Sequence, residues 1–231
     1  MRIGLGLDLP LNSLQKTSVE DSPTNIYWTD FSEYTTDVPP SDWSVMAESD
    51  FANLQVKENI TFTGGKYLNL EGGGSTLRNF ISWDAVPDAT DVEILVRYKI
   101  LDDQGEPYAT ARLSGTTVSN LTTYRAGYRQ TSDSYRISGY NEGSFFPINS
   151  WPANSPSDLD GWLRVRIIGN NLKLKIWAVG DSEPAGWSID TNDSIIHESG
   201  KTGLHIRGSG EVNIDIFSVA INGEEAPMEK P

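Results

Sequence analysis

The stretch Leu163–Ile176 reads LRVRIIGNNLKLKI, and it indicates the fold more directly than any other part of the chain. Aliphatic residues alternate with arginines before Gly169 and with lysines after Asn171. Alternation with a period of two is typical of a strand that buries one face. Because glycine and asparagine tolerate the backbone angles of tight turns, the two runs are predicted to form a β-hairpin.

The same alternation recurs on both sides of this hairpin. Asp91–Ile100 is predicted to be a long strand with its valine and isoleucine side chains on one face. In the C-terminal strand, Glu211–Val219, the period places Val212, Ile214 and Ile216 on one face and Asn213, Asp215 and Phe217 on the other. Further strands are predicted at Ile26–Phe31, Leu54–Val56, Ile60–Phe62, Tyr67–Leu70, Arg78–Trp83, Thr110–Leu113, Tyr124–Arg129, Tyr135–Tyr140, Ser194–Glu198 and Gly203–Gly208.

Many short strands separated by turn residues are typical of a β-sandwich or β-barrel. No run of ten or more residues has convincing helical periodicity, and parallel strands would need such crossover helices. The sequence therefore predicts an all-β, two-sheet antiparallel sandwich, and 231 residues fit one such domain. The expected division is an extended N-terminal arm at residues 1–25, the sandwich at 26–223 and a polar C-terminal tail at 224–231.

The composition narrows the classes of partner. With 18 basic and 32 acidic residues the formal charge is −14, which disfavours nucleic acid and anionic lipid surfaces. No stretch approaches the roughly 20 apolar residues of a membrane helix, so no membrane insertion is expected. The chain has no cysteine, which excludes disulfides, thiolate metal sites and a cysteine nucleophile.

The order of several motifs resembles a known family. An aromatic segment, Trp28–Trp43, comes early, and the hairpin is followed by the loop Glu183-Pro184-Ala185-Gly186-Trp187 and a closing segment, Gly200–Val219. This order resembles the laminin-G-like, concanavalin A-like jelly rolls of bacteriophage particle proteins, over about residues 26–222. The resemblance implies a jelly-roll sandwich with a role in glycan binding, adhesion, or capsid and tail decoration.

The N-terminal arm carries the leading hypothesis for function. Its aliphatic residues are separated by glycine, aspartate or proline, and they form the candidate assembly site Ile3, Leu5, Leu7, Leu9 and Leu11. The start of the arm resembles those of some phage particle proteins. The chain is accordingly interpreted as a non-catalytic structural protein of the virion (tail, fibre or capsid decoration) that contacts other virion proteins, forms homo-oligomers and contributes to host attachment. The alternatives for the arm are a frayed terminus or an extra edge strand.

A carbohydrate-binding, lectin-like module is the alternative function. Sugars stack on aromatic rings while arginine side chains donate hydrogen bonds to their hydroxyls, and amphipathic rings suit such sites. The candidate glycan-binding residues are Tyr128, Tyr140, Trp151 and Arg129. The competing interpretation is that these aromatic residues fill the core of the sandwich.

A glycoside hydrolase is the least favoured function. Laminarinase-like relatives of the fold carry the pattern Glu-x-Asp-x-(x)-Glu, and retaining chemistry needs two carboxyl groups about 5 Å apart. The nearest matches, Asp91-Val92-Glu93 and the Glu211–Asp215 segment, lack the second glutamate, so the chain is predicted not to be an enzyme.

Calcium is the one cofactor that the sequence leaves open. Acidic clusters occur at Asp158–Asp160, at Asp102 and Asp103 with Glu106, and at Asp181 with Glu183. Carboxylates are natural calcium ligands, but none of these segments fits an EF-hand loop, and solvated turns are the alternative interpretation.

Overall fold

The computed structural model describes residues 25–46, 49–74, 78–102, 104–153 and 160–231. Over these ranges strands are the main regular structure, and the helices are two single-turn 3₁₀ helices at Val118–Asn120 and Gln130–Ser132. The strands are β1 (Ile26–Thr29), β2 (Trp43–Met46), β3 (Phe51–Glu58), β4 (Lys66–Gly72), β5 (Arg78–Trp83), β6 (Val92–Ile100), β7 (Glu106–Ser114), β8 (Thr122–Arg129), β9 (Ser134–Asn141), β10 (Ser144–Pro152), β11 (Asp160–Ile168), β12 (Asn171–Ala178), β13 (Ile189–Asn192), β14 (Lys201–Arg207) and β15 (Glu211–Ile221).

Two antiparallel sheets make up the sandwich. The first sheet has the order β13-β12-β11-β6-β15-β4-β3. The long strand β15 has two partners on the edge away from β6: β4 pairs with its N-terminal half and β1 with its C-terminal half. The second sheet has the order β10-β9-β8-β7-β14-β5-β2. The predicted fold class, an all-β two-sheet jelly roll, is confirmed.

The hairpin predicted at Leu163–Ile176 is present in the structure. β11 pairs with β12 in continuous register from Gly161 opposite Ala178 to Ile168 opposite Asn171. Gly169 has a φ of 55°, which glycine adopts without strain. The aliphatic side chains of both strands are buried in the core, and the alternating arginines and lysines point to the outer face of the first sheet.

An aromatic cluster fills one end of the core between the sheets. The rings of Trp43 and Trp83 stack with their centroids 5.7 Å apart, and Phe217 meets Trp43 edge-on at 5.1 Å. Phe31 lies against Trp43 at 5.9 Å. Strands β2 and β5 of the second sheet and β15 of the first supply three of these rings, so the cluster joins the two sheets.

A bulge in β15 changes the predicted alternation of its side chains. The register with β6 shifts between Ile214, which faces Tyr98, and Ile216, which faces Arg97. The extra residue, Asp215, accepts hydrogen bonds from the backbone N–H and the hydroxyl of Thr63 at 2.8 and 3.0 Å. One inserted residue moves every later side chain of the strand to the opposite face of the sheet. Phe217 therefore points into the core, whereas the unbroken period placed it on the polar face.

Two predicted strands are wrong. Residues 60–62 form a turn, in which the Asn59 carboxamide accepts the backbone N–H of Thr61 at 3.0 Å. Residues 194–198 form an irregular segment, held by the hydroxyl of Tyr124, which accepts the N–H of Ile196 at 2.9 Å. In both segments a backbone N–H that could pair with a neighbouring strand instead donates a hydrogen bond to a side chain.

Three strands were not predicted from the sequence: β2, β10 and β13. The segment of β10 contains Pro147 and has no regular alternation of apolar and polar residues. Proline is tolerated on an edge strand, and β10 is the edge of the second sheet, with a register shift between Pro147 and Asn149.

The C-terminal tail docks on the outer face of the first sheet. Its Ala226 is buried, donates its N–H to Glu93 at 3.2 Å, and accepts a hydrogen bond from Arg164 at 2.9 Å. Met228 packs against a cluster that contains Trp177 and Leu95. The segment predicted as a polar tail is therefore part of the packed structure.

A network of charged groups, the Arg164 network, lies beneath this tail. The Arg164 guanidinium, 3 % exposed, forms an ion pair with Glu93 and a second one with Glu183 at 2.8 Å. Lys175 also contacts Glu183, at 2.6 Å, and Arg166 contacts Glu93 at 3.3 Å. Every buried charge in this network has an opposite charge beside it.

The predicted assembly residues Ile3, Leu5, Leu7, Leu9 and Leu11 lie outside the described residues. The described chain starts at Asn25, whose backbone carbonyl accepts the N–H of Ile221 at 2.8 Å. In the described ranges, no helix is long and apolar enough to cross a membrane.

Candidate functional site

The outer face of the second sheet carries an unusual set of side chains. The strand register places His205 opposite Tyr108, Thr110 opposite Arg125, and Arg125 opposite Ser138. Residues directly across a pair of strands share a face, so these side chains stand in adjacent rows. Their chain neighbours point the other way, into the core: Ala109, Ala111, Ala126, Ile137, Leu204 and Ile206.

Arg125 occupies the middle of this face and is 3 % exposed. Its Nε donates to the hydroxyl of Ser138 at 3.0 Å, and its Nη1 lies 3.2 Å from Nδ1 of His205. Three rings surround the guanidinium with centroids 4.6, 5.0 and 5.5 Å away: Tyr108, Tyr140 and Phe145. Within the described residues it has no carboxylate partner, so cation–π attraction offsets part of its desolvation cost.

The centre of the face is buried and holds hydroxyl groups without partners. In the described part of the chain, the side-chain oxygens of Ser82, Tyr108 and Thr110 are buried and make no hydrogen bond. Burial raises the pKa of Tyr108 to about 12. These side chains have almost no exposed surface. The exposed side chains of this sheet include Phe145 and Trp151, which lie on the edge strand β10.

Two adjoining depressions at that edge form what we call the β9–β10 groove. The larger one, of about 350 Å³, is lined by Arg129, Ser132, Asp133, Ser134, Arg136, Ser150, Trp151 and Pro152. The smaller one, of about 250 Å³, is lined by Arg136, Pro147, Ile148, Asn149 and Ser150. They share Arg136 and Ser150, so they adjoin each other. Trp151 is 53 % exposed, which is rare for so large an apolar ring.

The groove has a local positive charge within an acidic protein. The pKa of Arg136 is lowered, first by burial and then by the charge of Arg129, and Arg125 and Arg207 also contribute. Glu106 compensates two of these arginines, since it contacts Arg207 at 3.0 Å and Arg129 at 4.0 Å. Among the salt bridges of the described residues, none includes Arg136, whose ring contact is with Phe145 at 5.6 Å.

The four predicted glycan-binding residues occupy three different environments. Trp151 and Arg129 both line the β9–β10 groove. Tyr140 lies on the outer face but is buried against Phe145, with ring centroids 5.6 Å apart. Tyr128 points into the core, where its hydroxyl donates to Asp133 at 2.9 Å, so its ring is not available to a ligand.

The strand alternation contained the information needed to separate these residues. Tyr128 shares its period with Tyr124 and Ala126, which are core residues, whereas Arg129 falls on the opposite face. The same reasoning identifies Arg136, which the sequence-based selection left out although it alternates with the buried Ile137. Ser150 carried no comparable signal because its strand was not predicted.

The acidic residues nearest to the hydrolase pattern lie on the first sheet, opposite the sheet that bears the groove. Glu93 is ion-paired with Arg164 and Arg166, and Asp215 accepts two hydrogen bonds from Thr63. Burial raises the pKa of Asp215, and the bonds from Thr63 oppose that rise. Both carboxylates are held by structural contacts.

The candidate calcium loops fall partly outside the described residues. Of their described members, Glu106 pairs with Arg207 and Glu183 pairs with Arg164 and Lys175. Over the described ranges, no group of three or more histidine, aspartate or glutamate side chains is arranged to hold a metal ion. Calcium at the remaining acids stays a prediction.

Comparison with known proteins relates the fold to carbohydrate-associated structures. No family model and no curated protein matches the chain. The carbohydrate-binding module CBM66 from Bacillus subtilis is similar, with a TM-score of 0.58 and 15 % identity over 81 % of this chain and 99 % of that one. The VIP36 exoplasmic/lumenal domain in its Ca²⁺/Man3GlcNAc-bound form has a TM-score of 0.53 and 13 % identity over 83 % of this chain and 88 % of that one.

A glycoside hydrolase also shares the fold. The GH43 protein BlXynB (K247S mutant) from Bacillus licheniformis matches with a TM-score of 0.52 and 13 % identity, over 84 % of this chain but 39 % of that one. At these identities the similarity shows the fold alone. The three structures are concanavalin A-like or galectin-like jelly rolls, as the sequence resemblance implied, and they lend no support to a phage origin.

Proposed function

We propose that this protein is a non-catalytic, lectin-like carbohydrate-binding module whose ligand lies in the β9–β10 groove. The observation that carries the proposal is an open groove lined by arginine and serine residues and by Trp151, which is 53 % exposed at the edge of the sheet. An aromatic ring offers a flat apolar surface to the C–H face of a sugar. The polar side chains around it are placed to donate to and accept from sugar hydroxyls.

Each part of the groove has a definite task in this proposal. Trp151 stacks on a sugar ring at the exposed edge of β10, while Ser134 and Ser150 bind hydroxyls of the glycan on the outer face. The strands hold these groups in fixed register: Ser150 lies opposite Arg136 and shares its outer face, whereas Trp151 lies opposite the core residue Tyr135 and is exposed at the edge of the sheet. A site on paired strands is preorganised, which lowers the entropic cost of binding.

Two of the structural comparisons support a carbohydrate ligand. CBM66 is by its description a carbohydrate-binding module, and the VIP36 domain was solved with Man3GlcNAc bound. The GH43 similarity leaves open a hydrolase, which the groove itself disfavours. Asp133 is the one carboxylate among its described lining residues, whereas glycoside hydrolysis ordinarily uses two.

Replacing Trp151 by alanine should weaken binding to the glycan by about tenfold or more, because the stacking surface is lost. A glycan array of the full chain identifies the ligand, and isothermal titration then compares the variants. Trp187→Ala is the matched control, since Trp187 is a partly exposed tryptophan in the loop between β12 and β13, where its ring lies over Lys175. Equal affinity of the Trp151 and Trp187 variants would rule out the groove as the site.

A structural role in a phage particle is a second, separate proposal that rests on the sequence of the arm. Apolar side chains on an extended segment gain free energy by adding to, or packing on, a neighbouring subunit. The full chain should therefore self-associate, and a chain without residues 1–25 should be a folded monomer in light scattering. If both are monomers, self-assembly through the arm is wrong, and the virion location loses its support.

A further inference from the structure

We infer that the β9–β10 groove selects a glycan that carries carboxylate groups, such as one built with uronic acids, and that Arg136 binds the carboxylate. This inference rests on the proposed function and names the class of ligand for it. It runs against the net charge of −14, which on its own would favour neutral sugars.

The first step in the argument is the position of Arg136. It lies on the outer face of β9 opposite Gly127, and Gly127 stands between Arg125 and Arg129 on β8. Gly127 has no side chain to fill this part of the face. A Cβ there would come within 2.1 Å of the Pro107 carbonyl oxygen, so no larger residue fits. Three arginines thus surround one bare position on the outer face, and two of them, Arg129 and Arg136, line the groove.

The second step is that the other described arginines are already engaged. Arg97, Arg129, Arg164, Arg166 and Arg207 form ion pairs with carboxylates. Arg112 donates to three backbone carbonyls, and Arg125 donates to Ser138. Among arginines whose side chains the structure describes, Arg136 alone has neither an ion pair nor a hydrogen bond.

The third step is the kind of ligand that the Arg136 guanidinium can bind. A guanidinium presents parallel N–H groups that match a carboxylate in a two-point hydrogen-bonded pair. Burial lowers the pKa of Arg136 first, and the positive charges of Arg129, Arg125 and Arg207 lower it further; these same charges would stabilise an anion in the groove. Trp151 lines the same depression as Arg136, so one sugar of a glycan can stack at the edge while an acidic sugar beside it pairs with Arg136 on the outer face.

The test is an array of acidic oligosaccharides printed as matched pairs, each as the free acid and as its methyl ester. Galacturonate, glucuronate and sialic acid oligomers are included, together with neutral glycans. The full chain is expected to bind at least one free acid about tenfold or more tightly than its ester. Raising the salt concentration should reduce this preference, because the contact is partly exposed.

Three variants then test the role of Arg136. Arg136→Gln should bring the ratio of acid to ester binding close to one without weakening ester binding, and Arg136→Lys should give an intermediate ratio. Lys57→Gln, which removes a half-buried positive charge from the first sheet, should leave the ratio unchanged. A far-ultraviolet circular dichroism spectrum and melting curve confirm that each variant is folded.

The outcomes separate this inference from the proposed function. If the wild-type chain binds acid and ester equally, or binds only neutral glycans, the carboxylate inference is wrong and the lectin-like function stands. An unchanged preference in Arg136→Gln would also overturn it. If no glycan of any kind binds, both proposals fall.

Discussion

Replacing Arg164 by methionine is expected to lower the free energy of unfolding by about 3–5 kcal/mol, because it leaves the buried carboxylate of Glu93 without its main partner. The variant also loses the hydrogen bond to the Ala226 carbonyl at 2.9 Å, which holds the C-terminal tail on the first sheet. Urea unfolding gives the free energy, and limited proteolysis reports whether residues 222–231 become cleavable.

The double variant Glu93→Leu/Arg164→Met separates the cost of an unpaired charge from the value of the ion pair. Replacing both members of a buried pair by apolar residues is often close to neutral. Glu183 keeps its contact with Lys175 at 2.6 Å, and Arg166, which loses Glu93, is 34 % exposed and can be hydrated. We expect the double variant to recover most of the stability lost in Arg164→Met. A double variant as unstable as the single one would contradict this account of the network.

Replacing Arg112 by alanine is expected to cost about 3–5 kcal/mol, because three backbone carbonyl groups, that of the buried Ile196 among them, lose their donor and the buried side chain leaves a space. Its guanidinium donates to the carbonyls of Thr90 at 2.9 Å and Gly169 at 2.6 Å, and to that of Ile196. These contacts tie the turn after β11 and the irregular segment after β13 to the bulge in β7. The measurement is again urea unfolding.

The backbone at this position supplies an internal control. Arg112 has a φ of 53°, which glycine adopts more readily than alanine does. Arg112→Gly should therefore be more stable than Arg112→Ala by about 1 kcal/mol, although both lose the same hydrogen bonds. Lys57→Ala, which removes an exposed ion pair with Asp37, should cost less than about 1 kcal/mol. If Arg112→Ala were as mild as Lys57→Ala, water would be replacing the guanidinium at those carbonyls.

The sequence predicted the sheets better than their edges. Strands with a clean period of two, such as β6 and β11, were found because burial of one face determines their pattern. β10 was missed because an edge strand needs neither full alternation nor freedom from proline. The bulge at Asp215 was missed because it depends on a hydrogen bond to Thr63, more than a hundred residues away in the chain.

The candidate site was predictable in part for the same reason. Trp151 and Arg129 were selected as residue types that suit sugars, and both line the groove. Tyr128 was selected on the same grounds, but its facing follows the strand period, and it is a core residue. The sequence could not show that Arg136 has no carboxylate partner among the described residues. That outcome depends on which carboxylate each of the other arginines contacts in the folded sheets.

The central claim is that a glycan binds in the β9–β10 groove, and hydrogen–deuterium exchange tests it most directly. The full chain is measured with and without the glycan that gives the strongest array signal. The account predicts slower exchange in peptides covering residues 129–136 and 147–152, with little change elsewhere. Protection confined to the first sheet or to β2 and β5, with none at the groove, would contradict it.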